Sequence, residues 1–213
     1  MPANGIPSAF QYSLFAFANL FVQSSVNSFD HVLVEGNSAA ANADPLVYDM
    51  MAAFYTACSS FIAQNFGARK KKRILQTYLI CLFYSFITSL LLGVGIYLAR
   101  YPFLYLFTSD KAVVEAGITR LSIMALSYSA SAFMDASIAA SRGLGKTAVP
   151  TFVVVMGSCV FRIIWIYTIF AYFHTIQSLY ILYVFSWGIT AIAENIYFFH
   201  VYRHTLTEKK ELC

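Results

Sequence analysis

Apolar residues run in six long blocks along this chain, at 7–29, 39–65, 74–99, 113–139, 149–173 and 177–202, separated by short polar segments. As a helix, about 20 mostly apolar residues cross roughly 30 Å of hydrocarbon, so each block predicts one transmembrane span. The blocks lack the polar stripe that a water-facing helix needs. The pattern therefore predicts an all-α polytopic membrane protein, its six helices forming a single lobe over residues 1–213. Composition agrees. Charged residues are 11% of the chain, against about 25% in an ordinary soluble domain, and the mean hydropathy is +0.65.

The short segments carry charge unevenly. Arg69-Lys70-Lys71-Lys72-Arg73 follows the second block, Arg142 and Lys146 follow the fourth, and Arg203, Lys209 and Lys210 follow the sixth. With six spans these segments share one side with the N-terminus. The opposite side holds Asp30, Glu35, Arg100, Asp110, Lys111, Glu115 and His174. Lys and Arg favour the cytoplasmic side, which predicts cytoplasmic termini in a plasma-membrane protein. The net charge of +4 follows from this bias, so it carries no nucleic-acid inference. The Arg69–Arg73 run reads as a topology determinant rather than a specific lipid-headgroup site. Pro150 falls in a first helical turn, where a missing N–H costs little, and Pro45 predicts a kink in the second helix.

Several chemistries are excluded by motif. Cys58, Cys81, Cys159 and Cys213 show neither CxxC nor Cys/His metal spacing, so they read as small hydrophobes and no metal or cofactor is expected. Phosphate-cradling glycine motifs, a GxSxG elbow and an HExxH helix are missing, so no enzyme is indicated. His200 and His204 are four apart but border Arg203, which reads as a snorkelling polar helix end.

The informative residues are the polar ones inside the blocks, because an ionisable or amide group in hydrocarbon is costly. Asn19, Gln23 and Asn27 recur at steps of four, which keeps them on one helical face. Asn42, Asp49 and Thr56 recur at steps of seven, and Tyr128, Ser131 and Asp135 share a face of the fourth helix. These residues line a water-filled lumen, or else they hydrogen-bond one helix to another across small-residue contacts. Asp135 is read as a titratable or cation-binding group, since a carboxylate at depth needs a proton, a cation or a basic partner. Arg162 and Glu194 are expected to pair, their axial offset being about six residues, or roughly 9 Å. Arg120 and Asp44, each about one turn from the outer end, are expected to pair similarly.

Beyond these patterns, Phe61-Ile62-Ala63-Gln64-Asn65-Phe66-Gly67-Ala68-Arg69 resembles the "GQNLGA" segment and basic loop of multidrug and toxic compound extrusion (MATE) transporters, with Ala63 in place of the first glycine. Gly5-Ile6-Pro7 and the helix ending Asn27-Ser28-Phe29 look like the family's seventh helix. Asp135 through Ser141-Arg142-Gly143-Leu144-Gly145-Lys146-Thr147 resembles its tenth, with an "RGxGxT" exit. The match runs across the whole chain as the family's C-terminal half. The resemblance implies two six-helix lobes around a substrate path, and export of small organic, mostly cationic, molecules against Na⁺ or H⁺. Asp135 stands at the position of a cation-binding carboxylate. The chain departs from the family in two places: the first span has Gln11, Ser13 and Asn19 but no carboxylate, and Ser131 replaces a tyrosine one turn before Asp135.

The resemblance also implies a second, N-terminal lobe, on the same or a separate chain, or a homodimer partner, with membrane lipid around both. The competing expectations are a truncated remnant or accessory subunit without transport, and half of a lipid-linked oligosaccharide flippase.

Overall fold

The structure, a computed structural model, describes residues 5–204, with side chains from Ser13 onward. The side chains of Ile6, Pro7 and Gln11, and the tail residues Lys209, Lys210 and Cys213, lie outside the described residues. The described chain is helical throughout, its helices joined by tight turns: α1 (Gly5–Val26), α2 (His31–Ala41), α3 (Ala43–Gly67), α4 (Lys71–Leu98), α5 (Arg100–Tyr105), α6 (Lys111–Gly143), α7 (Ala148–Phe173) and α8 (Ile176–His204). Among the described residues, five bodies are long and apolar enough to cross a membrane: α2–α3 together, α4, α6, α7 and α8. The expected sixth span corresponds to α1, whose described side chains form a shorter apolar stretch, Ser13–Val26.

The second span starts earlier than its apolar pattern suggested. Asp30 caps α2 by accepting from the Leu33 N–H at 2.9 Å, so the helix begins at His31 rather than near 39. Near the position of the expected kink, the helix is interrupted at Asn42, between α2 and α3. Pro45 has no N–H for the Ala41 carbonyl, and its ring crowds that same carbonyl. The Asn42 backbone N–H still donates to the Ala39 carbonyl, and Asn42 Nδ2 donates to the Ser38 and Ala39 carbonyls, both at 3.1 Å. The sequence pattern also missed α5, since Arg100–Tyr105 reads as a loop around Pro102; proline is tolerated in a first turn.

At the other end of the bundle, α6 closes with a Schellman motif. Gly145 takes φ +78°, the Gly145 N–H donates to the Arg142 carbonyl at 2.8 Å, and the Lys146 N–H donates to the Ser141 carbonyl at 3.0 Å. The two glycines of the "RGxGxT" stretch thus serve different ends. Gly145 supplies the left-handed turn. A Cβ on Gly143 would lie 2.8 Å from the Ser59 carbonyl oxygen, so Gly143 lets α3 close on α6. The Lys71 ammonium reaches the Arg203 carbonyl at 3.4 Å and sits over the Tyr202 ring, joining the start of α4 to the end of α8 at this basic end.

The central helix is α6. It packs against α2, α3, α4 and α8, and 67% of its apolar stretch is buried against 22–44% for the other spans. Its sequence explains the position. Ala, Ser and Gly crowd it, and small residues let helix backbones approach closely. A Cβ on Gly93 of α4 would stand 2.2 Å from the Ala125 carbonyl oxygen, and one on Gly36 of α2 would stand 2.7 Å from Ala116 Cβ. The large exposed side chains of α4 and α8, among them Phe83, Leu91, Ile192 and Ile196, point away from α6.

Candidate functional site

A cleft runs along α1, α3, α6, α7 and α8 as three linked cavities. The first is about 450 Å³ and is bounded by Asn19 and Gln23 of α1, Asp44 and Asp49 of α3, Arg120 and Tyr128 of α6, Arg162 of α7 and Tyr183 of α8. The second, about 430 Å³, continues toward the basic end and reaches Asp135 and Arg142. Phe15, Asn19, Tyr48, Ser131 and Trp187 line both. A third, about 340 Å³, opens between α3 and α6 around Tyr55, Thr56, Asp135 and Arg142.

Two arginines serve the first cavity in opposite ways. Arg120 is buried and compensated. Its Nη2 forms the expected ion pair with Asp44, and its Nη1 donates to Asn37 Oδ1 at 2.8 Å. Asp44 Oδ1 also accepts from the Tyr128 hydroxyl at 2.6 Å. This network ties α2, α3 and α6 together beside the Asn42 break, where the backbone ladder is weakest.

Arg162 is buried but does not meet Glu194, contrary to expectation. Its Nη1 donates to Asn19 Oδ1 at 2.8 Å, its Nε donates to Ser186 Oγ at 3.4 Å, and the rings of Phe15 and Tyr183 lie 5.1 and 4.5 Å from the guanidinium. Ser186 precedes Glu194 by eight residues, about 12 Å along a helix, so the level at which α7 meets α8 puts the carboxylate out of reach. π-Helical stretches Val155–Val160 and Ile166–Phe170 flank the turn that carries Arg162. The Ser186 hydroxyl donates to the Gly157 carbonyl at 3.0 Å, fixing α8 against the first stretch. Glu194 is fully buried, and neither carboxylate oxygen has a hydrogen-bond partner among the described residues.

Asp135 sits where the second and third cavities meet and is partly exposed there. Ser131, one turn away on α6, faces the junction of the first two cavities. Tyr55 of α3 lines the third cavity with Asp135. Of the lumen-lining candidates, Asn19, Gln23, Asp49, Tyr128 and Ser131 border the first cavity and Thr56 the third. Asn27 is exposed and holds Gln23, whose amide donates to Asn27 Oδ1 at 2.9 Å. Thr56 Oγ1 donates back to the Ala52 carbonyl at 2.8 Å.

Sequence reasoning missed Tyr48, Tyr55, Tyr183 and Trp187, because aromatics are too frequent in this chain to single any out. It also missed a polar link between α4, α6 and α8. There the Tyr78 hydroxyl meets Ser137 Oγ at 2.9 Å and donates to Asn195 Oδ1.

The family model MatE matches residues 7–168 of the chain. Comparison with curated proteins finds no match. Among solved structures, the chain is similar to an outward-facing multidrug resistance MATE family transporter of the MOP superfamily, at 19% identity and a TM-score of 0.85, covering 96% of this chain and 46% of that one. It is similar to a MOP superfamily transporter from Pyrococcus furiosus, at 19% identity and a TM-score of 0.86, covering 95% and 46%. The Vibrio cholerae MATE transporter VcmN in its bent form gives 19% identity and a TM-score of 0.83, covering 92% and 45%. The chain thus spans less than half the length of the solved transporters it matches.

Proposed function

The chain belongs to the MatE family, and we propose that it forms one six-helix lobe, equivalent to the C-terminal one, of a cation-coupled exporter of small organic molecules. The observation that carries this reading is the cleft. Charged and amide side chains from five helices converge on linked cavities inside a bundle whose outer faces are apolar. Such a cleft facing lipid would leave polar groups unsolvated, so a second lobe is needed to close it. That lobe comes from the same chain, a separate chain or a second copy. Transporter repeats place the substrate path at such an interface.

In this reading Asp135 holds the coupling ion, Na⁺ or H⁺, at the meeting point of two cavities, with Tyr55 and Arg142 beside it. Asn19, Gln23, Asp49, Thr56, Tyr128 and Ser131 wet the path, and Asn27 supports Gln23. Basic turns at Arg69–Arg73 and Arg142–Lys146 put that end in the cytoplasm of a plasma-membrane protein. The test is movement of a fluorescent organic solute across proteoliposomes under an imposed Na⁺ or pH gradient. Asp135→Asn is expected to abolish the gradient-driven component while membrane insertion persists. Gradient-driven movement unchanged by Asp135→Asn would remove Asp135 from the mechanism.

A further inference from the structure

We propose that the first cavity binds an amphipathic organic anion, its acidic group held by Arg162 and its apolar body lying against the aromatic wall. This deepens the reading of the cleft as a substrate path and departs from the cationic substrates that the family resemblance implies. The same cavity offers an internal comparison. Arg120 is neutralised by Asp44 and further bound by Asn37. Among the described residues, Arg162, only 1% exposed, has no carboxylate partner, and its Nη2 has no hydrogen-bond acceptor. A buried guanidinium without a counter-charge is costly, and its planar fork suits carboxylate, sulfonate or phosphate oxygens.

The fork is held in place. Asn19 and Ser186 fix Nη1 and Nε, and Phe15 and Tyr183 bracket the guanidinium. Val22, Met124, Leu179 and Trp187 supply an apolar and aromatic surface, and about 450 Å³ falls within the range of small-molecule sites. The cavity's other carboxylate, Asp49, is exposed, so among the described residues Arg162 is this cavity's buried charge without a counter-charge.

The test uses the purified protein in lipid nanodiscs, with quenching of tryptophan emission as readout and paired probes, naphthalene-2-sulfonate and 2-naphthylmethylammonium. The sulfonate is expected to bind saturably and more tightly than the ammonium. Arg162→Met is expected to weaken sulfonate binding by at least about tenfold, and Arg162→Lys to restore part of it. Asp49→Asn, at an exposed position where folding is not at stake, is expected to tighten it. Equal affinities for the two probes, or a sulfonate affinity indifferent to both Arg162→Lys and Asp49→Asn, would overturn the proposal. Discs containing phosphatidylglycerol separate two sources of the anion. Competition with the sulfonate identifies a lipid headgroup, and lack of competition identifies a soluble anion; both support the subsite. Because binding is read without flux, loss of the anion site leaves the transport reading standing, and absence of flux leaves the anion site standing.

Discussion

Replacing Asp44 with alanine removes the carboxylate on which the α2–α3–α6 junction converges. Arg120, 8% exposed at its side chain, loses its ion pair, and the Tyr128 hydroxyl loses its acceptor at 2.6 Å. Breaking a buried pair costs about 3–5 kcal/mol. Asp44 is 39% exposed, which lets water replace part of the interaction and lowers that figure. The orphaned tyrosine hydroxyl adds about 1 kcal/mol. The expected loss is about 2–4 kcal/mol, or a drop of roughly 5–15 °C in melting temperature for a chain of this length. Thermal unfolding of the detergent-purified protein, followed by tryptophan emission, measures it. Asp44→Ala combined with Arg120→Met removes both charges and is expected to recover more than half of the loss. A single variant within about 0.5 kcal/mol of the parent would refute the reasoning, as would a double variant as unstable as the two single losses added.

Gly93→Ala is expected to destabilise by about 1–3 kcal/mol, because its Cβ would stand 2.2 Å from a backbone oxygen of α6. Gly95→Ala on the same helix meets open space and is expected to be neutral or stabilising by up to about 1 kcal/mol; the same melting assay reads both. Exchanging charges in an Arg162→Glu/Glu194→Arg variant is expected not to rescue the folding lost in either single variant, since Ser186 and Asn19, not Glu194, hold Arg162. Recovery of folded yield, followed by size-exclusion chromatography, would show that α7 and α8 meet at a different level.

Apolar block length made the spans legible because a membrane crossing demands about 20 such residues whatever else the sequence does. The helix interruption near Pro45 was legible for a similar reason: a missing N–H acts locally. The Arg120–Asp44 pair could be anticipated because both residues lie near one end, where the turns fix their level. The Arg162–Glu194 pairing failed because it depended on the relative depth of two helices, and a register error of about two residues adds roughly 3 Å. The π-helical stretches that flank Arg162 in α7 leave no simple sequence signal. Nor could the sequence show that Tyr55 of α3 lines a cavity with Asp135, since that neighbourhood exists only once α3 and α6 are packed.

The cleft is the centre of this account, and its access to water can be measured directly. In a background with Cys58, Cys81, Cys159 and Cys213 replaced by serine or alanine, single variants Gln23→Cys, Asp49→Cys, Phe83→Cys and Leu91→Cys are exposed in native membranes to a charged thiosulfonate reagent. Gln23 and Asp49 border the first cavity, whereas Phe83 and Leu91 are outward-facing side chains of α4. Rapid labelling at Gln23→Cys and Asp49→Cys, with Phe83→Cys and Leu91→Cys inert, is the expected result for a water-filled substrate path. Cleft positions no more reactive than those on α4 would contradict it.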